Sequence, residues 1–194
     1  MGDRGNATER PERPEVTDEM RERRRLAMRS IRQWGDPVLR SQTNEVTDFG
    51  PELRQQIEEM SYLMDDAIGC GLAAPQVGSL SRFFIYKIEA DGPISALINP
   101  VITWRSDEEE VDFEGCLSLE PIVVEVSRAV SIRVEAKDIN GKPVELQAEG
   151  FEARVIQHEY DHLDGVMIID RTEREQRREA LVQLREHATP LDGQ

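Results

Sequence analysis

The chain has 194 residues, 38% of them hydrophobic and 32% charged, which suits one domain with a sizeable core and surplus charge at its ends. Acids outnumber bases 39 to 24, for a formal charge of −15 at neutral pH; a field of that sign repels phosphate backbones, so DNA binding is not expected. No apolar run approaches the roughly 20 residues that cross a bilayer, the opening residues lack the apolar stretch of a secretory signal, and Asn6 stands where a myristoylation signal carries Ser or Thr. A cytoplasmic protein without membrane attachment is expected, with Cys70 and Cys116 as free thiols in a reducing compartment.

In chain order, residues 1–28 are rich in Arg, Glu and Asp, including the run RERRR at Arg21 to Arg25, and are expected to form a flexible or partly helical tail. GDPVLR at 35–40 marks a turn. Over residues 52–68, Leu53, Ile57, Met60, Met64 and Ile68 recur at helical spacing, and Gly69 and Gly71 suit a chain reversal behind them. FFIYKI at 83–88, ALINPVI at 96–102 and two runs between 122 and 138 are rich in β-branched and aromatic residues and read as strands. Asn140-Gly141 predicts a hairpin. VELQAEGF then leads into a helix from near Glu152 to about Asp164, closed by Gly165, and a last helix covers roughly 173–187. The fold class expected is α+β: short, mostly antiparallel strands packed around a central helix, in a catalytic domain over residues 29–172, followed by a C-terminal helix and tail over 173–194.

That central helix carries QHEYDH at 157–162. Helical positions four apart lie about 6 Å from one another on one face, close enough for His158 and His162 to grip one ion. Glu159, one position on, can reach a water at that ion without being a ligand. The same pattern also fits an ordinary helix with two satisfied histidines. A catalytic metal site usually takes a third protein ligand, and the metzincin spacing fails because its last position falls on Ile168. A gluzincin-like zinc endopeptidase would draw on Glu173, Glu175 or Glu179; His187 stands close to the C-terminus. EGCLSLE at 114–120 offers Cys116, whose thiolate is a strong soft ligand, though an isolated cysteine is commonly a small core residue. GCGLAAPQVG at 69–78 sets small residues beside one amide, Gln76, which suits close backbone approach to a small ligand.

GCGLAAPQVG, EGCLS and QHEYDH, in that order and at these separations, resemble the three signature motifs of the peptide deformylases, and GDPVLR, ALINP and HLDG extend the likeness over about residues 31–170. The resemblance implies a metal-dependent hydrolase that removes the N-formyl group from the formyl-methionine of new polypeptides and releases formate. It implies Cys116, His158 and His162 as metal ligands, Glu159 as general acid/base, and Gln76 with the backbone N–H of Leu117 as oxyanion donors. Gly71 would lie along the bound substrate, Cys70 would line the pocket for its first side chain, and Glu114 and Arg128 would brace the cysteine segment as an ion pair. One divalent ion is implied, iron(II) natively, with zinc, nickel or cobalt as alternatives. Some members of the family dock on the ribosome through a C-terminal helix, which makes the ribosome a second expected partner. Two departures stand out: Leu119-Glu120-Pro121 follows EGCLS where many relatives turn with Pro-Gly, and Cys70 stands where relatives carry Ile or Val.

Overall fold

The computed structural model describes residues 17–188. Residues 1–16 of the expected N-terminal tail lie outside the described residues. The remainder of that stretch takes the helical form of the expectation, but docked: Asp18–Ala27 forms a helix, α1, packed against the helix α2 at Pro51–Asp66. The charged sequence supports a helix because Thr17 accepts a hydrogen bond from the Met20 N–H at its start. Asp18 and Glu19 in the first turn and Arg24 and Arg25 in the last complement the helix dipole.

Five strands form one antiparallel sheet. They are β1 (Gly71–Ala73), β2 (Phe83–Tyr86), β3 (Ser95–Arg105), β6 (Ser131–Lys137) and β7 (Pro143–Glu149), side by side in that order. β4 (Glu109–Gly115) and β5 (Val123–Ala129) pair apart from it as a two-stranded ribbon. The helix α3 (Gly150–Leu163) follows β7 directly, and α4 (Arg174–Ala188) closes the described chain.

The sheet is covered on both faces, which explains why β2 reads as an unbroken apolar run. Phe83 and Ile85 point into a cluster with Leu53, Ile57, Met60 and Met64 of α2, while Phe84 and Tyr86 point the other way, into a cluster with Ala153, Ile156 and Leu163 of α3. Burying each large apolar side chain contributes roughly 1.5–3 kcal/mol, so α3 is held firmly on the sheet. A third cluster joins Ile122 and, on β5, Val124 and Val126 to Leu39, to Ile168 and Ile169 in the turn after α3, and to Leu184 of α4. The metal-motif helix therefore sits between the five-stranded sheet and the ribbon.

Three local expectations change. α2 ends at Asp66, and Ile68 is 51% exposed with φ of 59°, a left-handed position outside the helix. β4 was not foreseen as a full strand, and β1 occupies the stretch expected only as a reversal. The Asn140-Gly141 turn forms as expected, with φ of 78° at Gly141, and joins β6 to β7.

Candidate metal centre

α3 begins at Gly150, where φ of 56° turns the chain out of β7. From there the helical repeat carries His158 and His162 onto one side, their rings 5.1 Å apart between centroids. Cys116 follows the last residue of β4 and precedes a single helical turn at Leu117–Leu119, so the ribbon delivers its sulfur to α3. Sγ lies 3.3 Å from Nε2 of His162. The ligand atoms offered by Cys116, His158 and His162 all lie within 4.8 Å of one another. Soft sulfur with two imidazoles suits a divalent transition metal.

The ring of His158 is oriented from behind by Glu114 Oε2, 3.0 Å from its Nδ1, which leaves Nε2 for the centre. Glu114 is itself bound by Arg128 through Nε at 2.9 Å and Nη2 at 3.0 Å, the ion pair that the resemblance implied, and by Nη1 of Arg154 at 2.9 Å. Arg154 also donates to the carbonyls of Val126 and Glu110, so one buried guanidinium ties α3 to both strands of the ribbon. Arg128 reaches on to Asp161 Oδ2 at 2.6 Å, and Arg171 grips the same carboxylate at 2.5 and 3.0 Å. Burial pushes Glu114 up, but the hydrogen bonds from His158 and Arg128 and the charge of Arg128 outweigh it, leaving the carboxyl at about 2. It stays ionised and holds its partners.

Glu159 has the opposite environment. Burial pushes it up to about 7, and its Oε2 is buried without a hydrogen-bond partner among the described residues. Its other face presses on Gly71, where any Cβ would overlap the carboxylate, so only glycine fits at the start of β1. Gln76 is 2% exposed and fixed at both ends of its amide: Oε1 accepts from the Ala73 N–H at 2.8 Å, and Nε2 donates to Ser118 Oγ at 3.1 Å. The same Nε2 stands 3.7 Å from Cys116 Sγ, so the amide faces the centre.

A cavity of about 400 Å³ opens onto these groups, lined among others by Cys70, Gly71, Gln76, Leu117, His158 and Glu159. Cys70 is exposed at its mouth. The remaining sequence candidates stay away from the centre: Glu173, Glu175 and Glu179 are exposed, and His187 bonds the Gln183 carbonyl of its own helix. Arg154, Asp161, Arg171 and Ser118 were not anticipated. Asp161 stands inside QHEYDH and Ser118 inside EGCLS, but only the fold reveals which partners they meet.

The polypeptide deformylase family model matches residues 28–178. The chain belongs to that family. A peptide deformylase of Thermotoga maritima is 49% identical over 144 residues, covering 74% of this chain and 87% of that protein. One from Acidothermus cellulolyticus is 45% identical over 163 residues, covering 83% and 88%. Among solved deformylases, the crystal structure from Thermotoga maritima superposes with a TM-score of 0.71 at 47% identity over 74% of this chain and 96% of that one. The enzyme from Synechococcus elongatus, in complex with actinonin, gives 0.76 at 41% over 79% and 85%. Membership favours the deformylase reading over the gluzincin-like alternative.

Proposed function

We propose that this chain is a metal-dependent hydrolase that removes the formyl group from formyl-methionyl peptides, releasing formate and a free amino terminus. The observation that carries this is the meeting of Cys116, His158 and His162 within 4.8 Å beside a buried Glu159 oxygen that has no hydrogen-bond partner among the described residues. A structural site would need neither that free carboxylate oxygen nor the immobilised amide of Gln76.

Cys116, His158 and His162 would hold one divalent ion, and we assign iron(II) natively, since a thiolate offsets more metal charge than a third imidazole would. When bound, the ion would supply Lewis acidity and lower the pKa of a water far below its bulk value, toward about 7. Glu159 Oε2 would be the acceptor for a proton from a water held there, since a carboxyl pushed up to about 7 by burial can take up and return a proton at neutral pH. The proton goes on to the departing amine nitrogen. Gln76 donates one N–H to Ser118 and directs the other at Cys116 Sγ, at 3.7 Å, and this long second bond is the one that can turn to the formyl oxygen as negative charge gathers there. The backbone N–H of Leu117 is the companion donor. Gly71, bare of a side chain, lets the peptide backbone pass close to Glu159, and Cys70 borders the space for the first side chain.

The reaction fits the cytoplasm, where new chains carry the formyl group, and no described helix is long and apolar enough to cross a membrane. The catalytic unit spans residues 29–172. α4 extends it with Arg174, Arg177, Arg178 and Arg185 around Leu181 and Val182, a face that suits ribosomal RNA. Co-sedimentation with ribosomes should fail when residues 173–194 are deleted. The activity itself is tested by anaerobic purification, elemental analysis and formate release from formyl-Met peptides. Stoichiometric metal with no formate would refute the reading.

A further inference from the structure

The family match begins at residue 28, so α1 lies before it. Even so, α1 reaches the cavity that holds Cys116, His158 and Glu159, because Arg24 lines it beside Glu120, Pro121, Ile122 and Val123. The guanidinium meets Glu120 in a two-pronged pair, Nη1 on Oε2 at 3.2 Å and Nη2 on Oε1 at 2.8 Å. Both side chains still touch water, at 33% and 42% exposure. α1 is anchored on either side of this pair. Arg23 bonds Asp66 at the end of α2, and Ala27 sinks into the cluster built on Leu53, Ile57 and Met60.

Exposed ion pairs of this kind contribute little to stability. Their effect on an arriving ligand is another matter. The protein carries −15 overall, and Glu114, Glu120 and Glu159 all line this cavity. The other lining arginine, Arg154, is buried and committed to Glu114 and two ribbon carbonyls. Among the described residues Arg24 is thus the water-exposed cation of the cavity, and it pairs with Glu120, the water-exposed carboxylate of the three.

We propose that Arg24 is a specificity-determining residue. Paired with Glu120, it keeps the mouth of the cavity neutral, so formyl-methionyl peptides with acidic residues after the first are admitted as readily as those with basic ones. This rests on the formyl-peptide reading given above.

The test uses the full-length, metal-loaded protein and formyl-Met peptides carrying Asp or Lys at the second and third positions, at low ionic strength. The readout is the acidic-to-basic ratio of kcat/KM. Arg24→Gln should lower that ratio about fivefold, and Glu120→Gln should raise it by a similar factor. The double variant should return close to the wild-type ratio, and roughly 0.5 M salt should shrink all the differences. Equal ratios in wild type and both single variants, with formate released throughout, would overturn this inference while leaving the activity intact. No formate from any peptide would remove the activity and the inference together.

Discussion

A buried carboxylate oxygen with no hydrogen bond is an expensive thing for a fold to keep, and Glu159 keeps one. The loss makes sense where the oxygen has a proton to move. Glu159→Gln preserves size and leaves Cys116, His158 and His162 untouched, so metal content should remain stoichiometric by elemental analysis. Turnover should fall by roughly 10² to 10⁴; normal formate release would remove Glu159 from its role. Gln76 is argued from the same scale. Gln76→Leu removes a donor aimed at developing charge, so kcat should drop about 10²- to 10³-fold with little change in KM. It also strands the Ala73 N–H that Oε1 satisfies, at about 1–3 kcal/mol in stability. Steady-state kinetics and denaturant unfolding separate the two effects, and an unchanged kcat would mean that Gln76 only packs.

At the scale of elements, the centre depends on how the β4–β5 ribbon is tied to α3. Glu114 on β4 receives Arg128 from β5 and both Arg154 and His158 from α3, all with little access to water. Glu114→Ala leaves the Arg154 guanidinium buried without its counter-charge and Arg128 with Asp161 alone, and a broken buried pair typically costs 3–5 kcal/mol. Denaturant unfolding should show that loss, and metal affinity should weaken about 10- to 100-fold, because His158 loses the group that aims its ring. Wild-type stability and affinity in this variant would dismiss the ribbon as a brace. These ties also mark where sequence reading stopped. His158 and His162 were legible because four residues fix a helical face whatever surrounds it, and the Glu114–Arg128 pair came with the family likeness. Arg154 was not, because a helical arginine ordinarily faces water and only the ribbon's arrival buries it. β4 escaped notice for a related reason: its outward residues Val111 and Phe113 are apolar and 62% and 65% exposed, so the alternation of a half-buried strand is blurred. α1 was read as a tail because its composition is charged, and its only buried residue is Ala27. Its order comes from a cap and three contacts to other elements, made by Arg23, Arg24 and Ala27, that no local window contains.

In the molecule as a whole the proposed ligands lie on two structural units, Cys116 just past the end of β4 and the two histidines on α3, and a bound ion would join them. Binding to the folded state alone adds stability by mass action, about 2.7 kcal/mol when free metal exceeds its Kd 100-fold. Chelation should therefore lower the melting temperature by roughly 5 to 10 °C, as read by calorimetry with and without added ion, and an unmoved melting temperature would show that the ion does not join the two units. The same layout sets the order of manufacture. Cys116 and His162 stand 46 positions apart, and the carboxylate between the histidines is clasped by Arg171, ten positions later than Asp161. A growing polypeptide that has completed every strand still owns only the sulfur. On that assignment it gains both imidazoles only once α3 has been made, and the Arg171 clasp on Asp161 later still.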